Sequence, residues 1–151
     1  MIDNKIQNEL RLKWKKSDAI QYVKEMCSKI SVEDMSEFTS TAIKAAYDAK
    51  RIKALDYLLG LENRCDATLL VKIHVGYLLS NIKVSEKDID IWKILCNHFT
   101  EKDLLESIEN FKKYLSTQHK EKFFFREKEM IRFVFEKKLQ NNPTTNKSFK
   151  I

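Results

Sequence analysis

Glycine and proline are almost missing from this chain. Its 151 residues hold two glycines, Gly60 and Gly76, and one proline, Pro143. Strand-rich folds need many tight turns, and tight turns draw on these two residues. Their scarcity argues against a sheet and for helices joined by short connections. Long apolar runs are missing too. No stretch approaches the roughly 20 apolar residues that a membrane-spanning helix needs, and Met1 to Trp14 is interrupted by charges where a signal peptide would carry its apolar core. The three cysteines, Cys27, Cys65 and Cys96, are an odd number without paired spacing. They read as reduced thiols in a cytosolic compartment, which includes a host-cell cytosol if the protein is a secreted effector.

Catalytic and metal-binding signatures are equally scarce. Two isolated glycines cannot form a phosphate-cradling loop. No His-Glu-x-x-His occurs and no two cysteines lie close together, so zinc-ligand spacing is lacking and no cofactor is implied. Cys96 and His98 are the nearest Cys–His pair. Residues two apart on a helix point about 200° away from each other, which keeps them from sharing one ion or one proton. His74 lies in the apolar run Leu69 to Leu79 and reads as a core histidine satisfied by a partner. An enzyme without a recognisable motif is therefore the third-ranked reading of function.

What is present is charge. Lys, Arg, Asp and Glu make up 33% of the chain and the net charge is +6. The excess is unevenly placed. Residues 112–151 carry 11 bases against 4 acids, and residues 1–16 carry five against two, so both ends are basic around an acidic middle. Such asymmetry marks either contact with nucleic acid or an acidic surface, or ordinary solvation of terminal helices.

Helix starts are signalled where Ser31 precedes Asp34, Ser85 precedes Asp88 and Thr100 precedes Asp103. Each hydroxyl can accept from a free N–H of the first turn, and each acid sits at the positive end of the helix dipole. Gly60 and Asn81 follow apolar runs as stops. The pattern predicts helices over 3–15, 17–29, 32–49, 51–59, 66–81, 86–98, 101–116 and 120–139. These form one all-α domain over 1–139, followed by a disordered polar tail, 140–151. A five-residue unit of two apolar residues, one polar and two apolar recurs at 19–23, 54–58, 91–95 and 130–134, with offsets of 35, 37 and 39. Stacked helical hairpins in a short solenoid are the architecture this predicts. Leu55 and Trp92 would be buried at equivalent positions.

The window from Thr41 to Gly60 resembles a single ankyrin repeat. Thr41, Ile43, Ala45 and Ala46 fit the family's first helix, and Ile52, Ala54, Leu55, Leu58 and Leu59 fit its second. Residues 87–98 look like the second helix of another repeat. The resemblance implies a degenerate ankyrin-like fold that binds another protein, and it implies no catalytic residue.

Two surfaces are candidates for that binding. The first is the edge formed by the connections around the central hairpins: Arg51, Lys53, Glu62, Arg64 and Lys83. The second is the basic aromatic segment Lys120, Lys122, Phe123, Arg126 and Lys128, in which Phe123 to Phe125 stand among bases. Aromatics interleaved with bases stack nucleobases and hold phosphates, which makes a nucleic-acid-binding protein the runner-up. Alternatively the three phenylalanines seal the end of the helical stack. A small adaptor or effector with a protein partner is the leading expectation.

Overall fold

A computed structural model describes residues 4–140. The expected tail lies outside these residues apart from Gln140. The described residues are all-helical, with no strand among them. They fall into two compact units divided after Ala67.

The first unit contains α1 (Asn4–Trp14), α2 (Ile20–Lys29), α3 (Met35–Asp48) and α4 (Ile52–Leu59). Helix α3 packs on both α1 and α4, and α2 packs on α4. Their apolar stripes supply the core: Leu10 and Trp14, Val23, Phe38, Ala42 and Ala46, and Ala54, Leu55 and Leu58. The indole Nε1 of Trp14 is satisfied by the carbonyl of Asp18, 3.0 Å away. The turn between α3 and α4 is a Schellman motif. Arg51 N–H donates to Ala46 O at 2.9 Å and Lys50 N–H to Tyr47 O at 3.0 Å. Lys50 takes the left-handed position there with φ 55, a place usually held by glycine. Gly60 follows α4 as expected, but at φ −88 its backbone stays in the helical region. The left-handed residue after that helix is Asn63, φ 57.

The second unit contains α5 (Thr68–Leu78), α6 (Glu86–His98), α7 (Glu101–Lys112), α8 (Thr117–Lys122) and α9 (Phe124–Gln140). Helix α5 packs on α6 and α7, and α9 packs on α6, α7 and α8. Gly76 lets α7 approach closely: a Cβ there would stand 3.3 Å from Phe111 Cε2. Trp92 is fully buried, and its Nε1 donates to Met130 O at 3.0 Å. Leu55 is also fully buried. Lys112 and Glu127 tie α7 to α9 at 3.1 Å. The carboxylate of Glu127 raises the Lys112 pKa by hydrogen bonding to its ammonium, against the opposing effect of burial.

Two of the three predicted caps close their helices as written. Ser85 and Asp88 form a reciprocal capping box, and Thr100 Oγ1 accepts from Asp103 N–H. Ser31 accepts from Asp34 N–H at 3.3 Å, but it closes only a turn, and α3 begins at Met35. The helix expected over 120–139 is two helices. Ser116 caps α8 through His119 N–H, so helix starts earlier, and the backbone turns at Phe123 before α9.

Candidate functional site

The first candidate set is divided between the two units. Arg51, Lys53, Glu62 and Arg64 belong to the first unit and Lys83 to the second. Both arginines face inward to main-chain carbonyls. Arg51 Nε donates to Trp14 O. Arg64 donates from Nε to Leu59 O at 2.7 Å and from a terminal nitrogen to Cys65 O at 2.8 Å. Lys53, Glu62 and Lys83 are exposed.

The second set divides differently. Phe123 is only 4% exposed, and its ring stacks on His119 with centroids 4.8 Å apart. Phe124 and Phe125 are 50% and 80% exposed. The three phenylalanines therefore do not seal the stack together. Consecutive helical residues turn by about 100°, so one buried ring forces its neighbours outward. Arg126 turns in and donates to the carbonyls of Leu78, Asn81 and Ile82 at 2.7, 2.9 and 2.8 Å. Lys120, Lys122 and Lys128 stay exposed. Lys128 lays its ammonium over the Phe124 ring, 5.4 Å from the centroid.

These placements leave a cleft that the sequence pattern alone did not single out. It encloses about 250 Å³ and is lined by Ile82, Lys122, Phe123, Phe125, Arg126 and Glu129. Ile82, on the α5–α6 connection, is 60% exposed. Arg126 holds that connection against α9, so the two exposed apolar rims, Ile82 and Phe125, have a fixed floor between them. Lys122 and Glu129 place one charge of each sign at the margin. A concave, partly apolar site with a few polar groups is suited to receiving a side chain of a ligand.

The local charge is nearly balanced. Residues 114–136 hold five bases and four acids. Four of the remaining bases of the C-terminal region, Lys137, Lys138, Lys147 and Lys150, lie beyond Glu136.

A second cleft, polar throughout, lies between α1 and α3. It encloses about 330 Å³ between Asn4, Gln7, Asn8 and Arg11 on one side and Glu37, Ser40 and Thr41 on the other. Amides and hydroxyls dominate it, with Arg11 and Glu37 supplying one charge of each sign.

The groups with chemical potential are built into the packing. His74 is buried and donates from Nε2 to Asp88 O at 2.8 Å, as a satisfied core histidine does. The buried Asp88 carboxylate accepts from Ser85 N–H at 2.9 Å, Ser85 Oγ at 3.0 Å and Tyr77 OH at 3.3 Å. This cluster fastens the start of α6 to α5, with His74 and Asp88 buried at its centre. None of the three cysteines forms a disulfide. Burial pushes the Cys27 thiol up to about 11, which suppresses the thiolate at neutral pH. Among the described residues no three His, Cys, Asp or Glu side chains are placed to hold a metal ion, and no helix is long and apolar enough to cross a membrane. In comparisons with known proteins, no family, no curated protein and no solved structure matches this chain.

Proposed function

We propose that this chain is a protein-binding module, a small adaptor or effector acting in a cytosolic compartment, whose helical hairpins are degenerate ankyrin-like repeats. The observation that supports the reading is the Ile82–Phe125 cleft. Its two rim residues are large, apolar and exposed, while Phe123 and Arg126 beneath them are locked by burial and by three carbonyl contacts. Exposed aromatics over a rigid floor are the kind of anchor that dominates protein interfaces. The partner would insert an apolar side chain between Ile82 and Phe125 and meet Lys122 with a carboxylate. Lys53, Glu62 and Lys83 are exposed charges and supply no comparable apolar anchor.

A nucleic-acid reading is favoured by one observation: Phe124 and Phe125 are accessible beside Lys120, Lys122 and Lys128, as base stacking requires. The charge balance over 114–136 weighs against it. Four carboxylates interleaved with five bases give little net attraction for phosphates. A photo-reactive phenylalanine analogue at position 125 distinguishes the two. Protein adducts that are absent when the analogue sits at Glu62 support the proposal. Adducts to nucleic acid alone would overturn it in favour of the second reading.

A further inference from the structure

The polar cleft between α1 and α3 is sorted by hydrogen-bonding role. On the α3 wall the hydroxyl protons are already used. Ser40 Oγ donates to Glu37 O at 2.8 Å and Thr41 Oγ1 to Phe38 O at 3.3 Å. A hydroxyl has one proton, so both oxygens have only lone pairs left for a ligand. With the exposed Glu37 carboxylate they make a wall that accepts. On the α1 wall the exposed Arg11 presents five N–H groups and no acceptor. Gln7 Nε2 donates to Phe38 O at 3.3 Å, which fixes that amide and leaves Oε1 as an acceptor.

The two charges also stand at different levels. Helices α1 and α3 run the same way. Gln7 meets Phe38 near their starts, and the Trp14 carbonyl, at the end of α1, meets Arg51 just past α3. With Gln7 and Phe38 level, Arg11 lies four residues above and Glu37 one below. That sets the two charges about 7.5 Å apart along the axis, at 1.5 Å per residue. Side chains on parallel helices lean toward the same end, which keeps the offset. An extended dipeptide has its ammonium and carboxylate about 6–7 Å apart, whereas a free amino acid holds them about 2.5 Å apart. The cleft encloses about 330 Å³, at the small end of ligand sites. Its described lining contains no aromatic ring, so a nucleobase has nothing there to stack on.

We infer that the α1–α3 cleft binds a dipeptide-sized zwitterion, its ammonium on Glu37 and Ser40 and its carboxylate on Arg11. The peptide N–H faces Gln7 Oε1 and Thr41 Oγ1, and the peptide carbonyl faces the Asn8 amide. A guanidinium matches a carboxylate with two parallel hydrogen bonds, and an ammonium is donor-only, as an accepting wall requires. This site lies in the first unit, goes beyond the protein-binding reading and does not depend on it. Both protein charges are exposed and screened, so the affinity is low, with Kd on the order of millimolar.

Nuclear magnetic resonance titration of the full chain with alanylalanine tests this. The expected result is saturable shifts confined to α1 and α3. N-acetyl-alanylalanine lacks the ammonium, alanylalanine amide lacks the carboxylate, and free alanine lacks the span. Each binds at least about tenfold more weakly. Arg11→Gln weakens alanylalanine about tenfold and removes its preference over the amide, while the preference over the acetylated form remains. Glu37→Gln does the reverse. Both substitutions fall at exposed sites and leave the fold intact. Shifts that do not saturate overturn the inference. So do acetylated, amidated or single-residue ligands that bind as tightly as alanylalanine. Neither result touches the Ile82–Phe125 cleft, whose protein capture is measured separately.

Discussion

The guanidinium of Arg126, in the first turns of α9, donates to the carbonyl of Leu78, the last residue of α5, at 2.7 Å. The same side chain reaches Asn81 O and Ile82 O. The last carbonyls of a helix lack intrahelical partners and carry the negative end of its dipole, so a cation there satisfies both needs. Arg126 thus acts as a helix cap supplied from another helix, and its role in the cleft is to hold Ile82 in place.

Arg126→Gln should therefore destabilise the chain by about 1–3 kcal/mol, the range for hydrogen bonds to a charged donor left unmade. Lys122→Gln and Lys128→Gln, at exposed sites, should stay within about 0.5 kcal/mol of the parent. Urea unfolding followed by circular dichroism measures all three. Equal effects for Arg126 and Lys122 would contradict the capping role.

The phenylalanines should separate along the same line. Phe123→Ala empties a buried site and should cost about 3–5 kcal/mol. Phe125→Ala removes an exposed ring and should cost no more than about 0.5 kcal/mol. If Phe125→Ala destabilised as much as Phe123→Ala, its ring would be part of the core and unavailable to a partner.

Lys50 offers a gain. Its left-handed backbone costs a residue with a Cβ roughly 1–2 kcal/mol that glycine does not incur. Lys50→Gly also loosens the unfolded chain, which offsets part of this. The expected net result is stabilisation by about 0.5–1 kcal/mol, seen as a higher denaturation midpoint at unchanged slope. A loss of stability would show that the Lys50 side chain contributes more than its backbone costs.

Tyr22 gives the first unit a dependence on alkaline pH. Its hydroxyl donates to Glu9 Oε2. That bond, followed by burial and the charges of Glu9 and Glu25, pushes its pKa up to about 12. A free tyrosine titrates near 10. The neutral form is favoured in the fold, so the contribution is complete below pH about 10 and is lost as pH rises toward about 12. The difference in stability between parent and Tyr22→Phe should shrink over that window. A difference that stays constant from pH 9 to about 12 would contradict the Glu9 contact.

How far these features were legible depends on which physical signal each one carries. The helices were readable because scarce Gly and Pro, apolar spacing and the Ser85 and Thr100 caps all agree. Ser116 carries no acid three residues on, since His119 stands there, so the start of α8 left no strong mark. Ala19 and Lys50 adopt left-handed turns that composition assigns to glycine. The inward turn of Arg51 and Arg126 is set by carbonyls 37 and 48 residues away. Local pattern contains nothing about such partners. The splaying of Phe123 to Phe125 was available from helical geometry alone. The cleft was not, because Ile82 joins Phe125 only through the fold.

The most direct test of the protein-binding cleft is quantitative capture from a nuclease-treated lysate at 0.5 M salt, comparing the parent chain with the Ile82→Ser, Phe125→Ser double variant. Nuclease and salt together remove nucleic-acid-driven association, which falls steeply as counterions compete. The account predicts that the parent retains a discrete protein partner and that the double variant, folded to the same helical content, loses it. Capture that is unchanged in the double variant would contradict the claim that this cleft is the binding site.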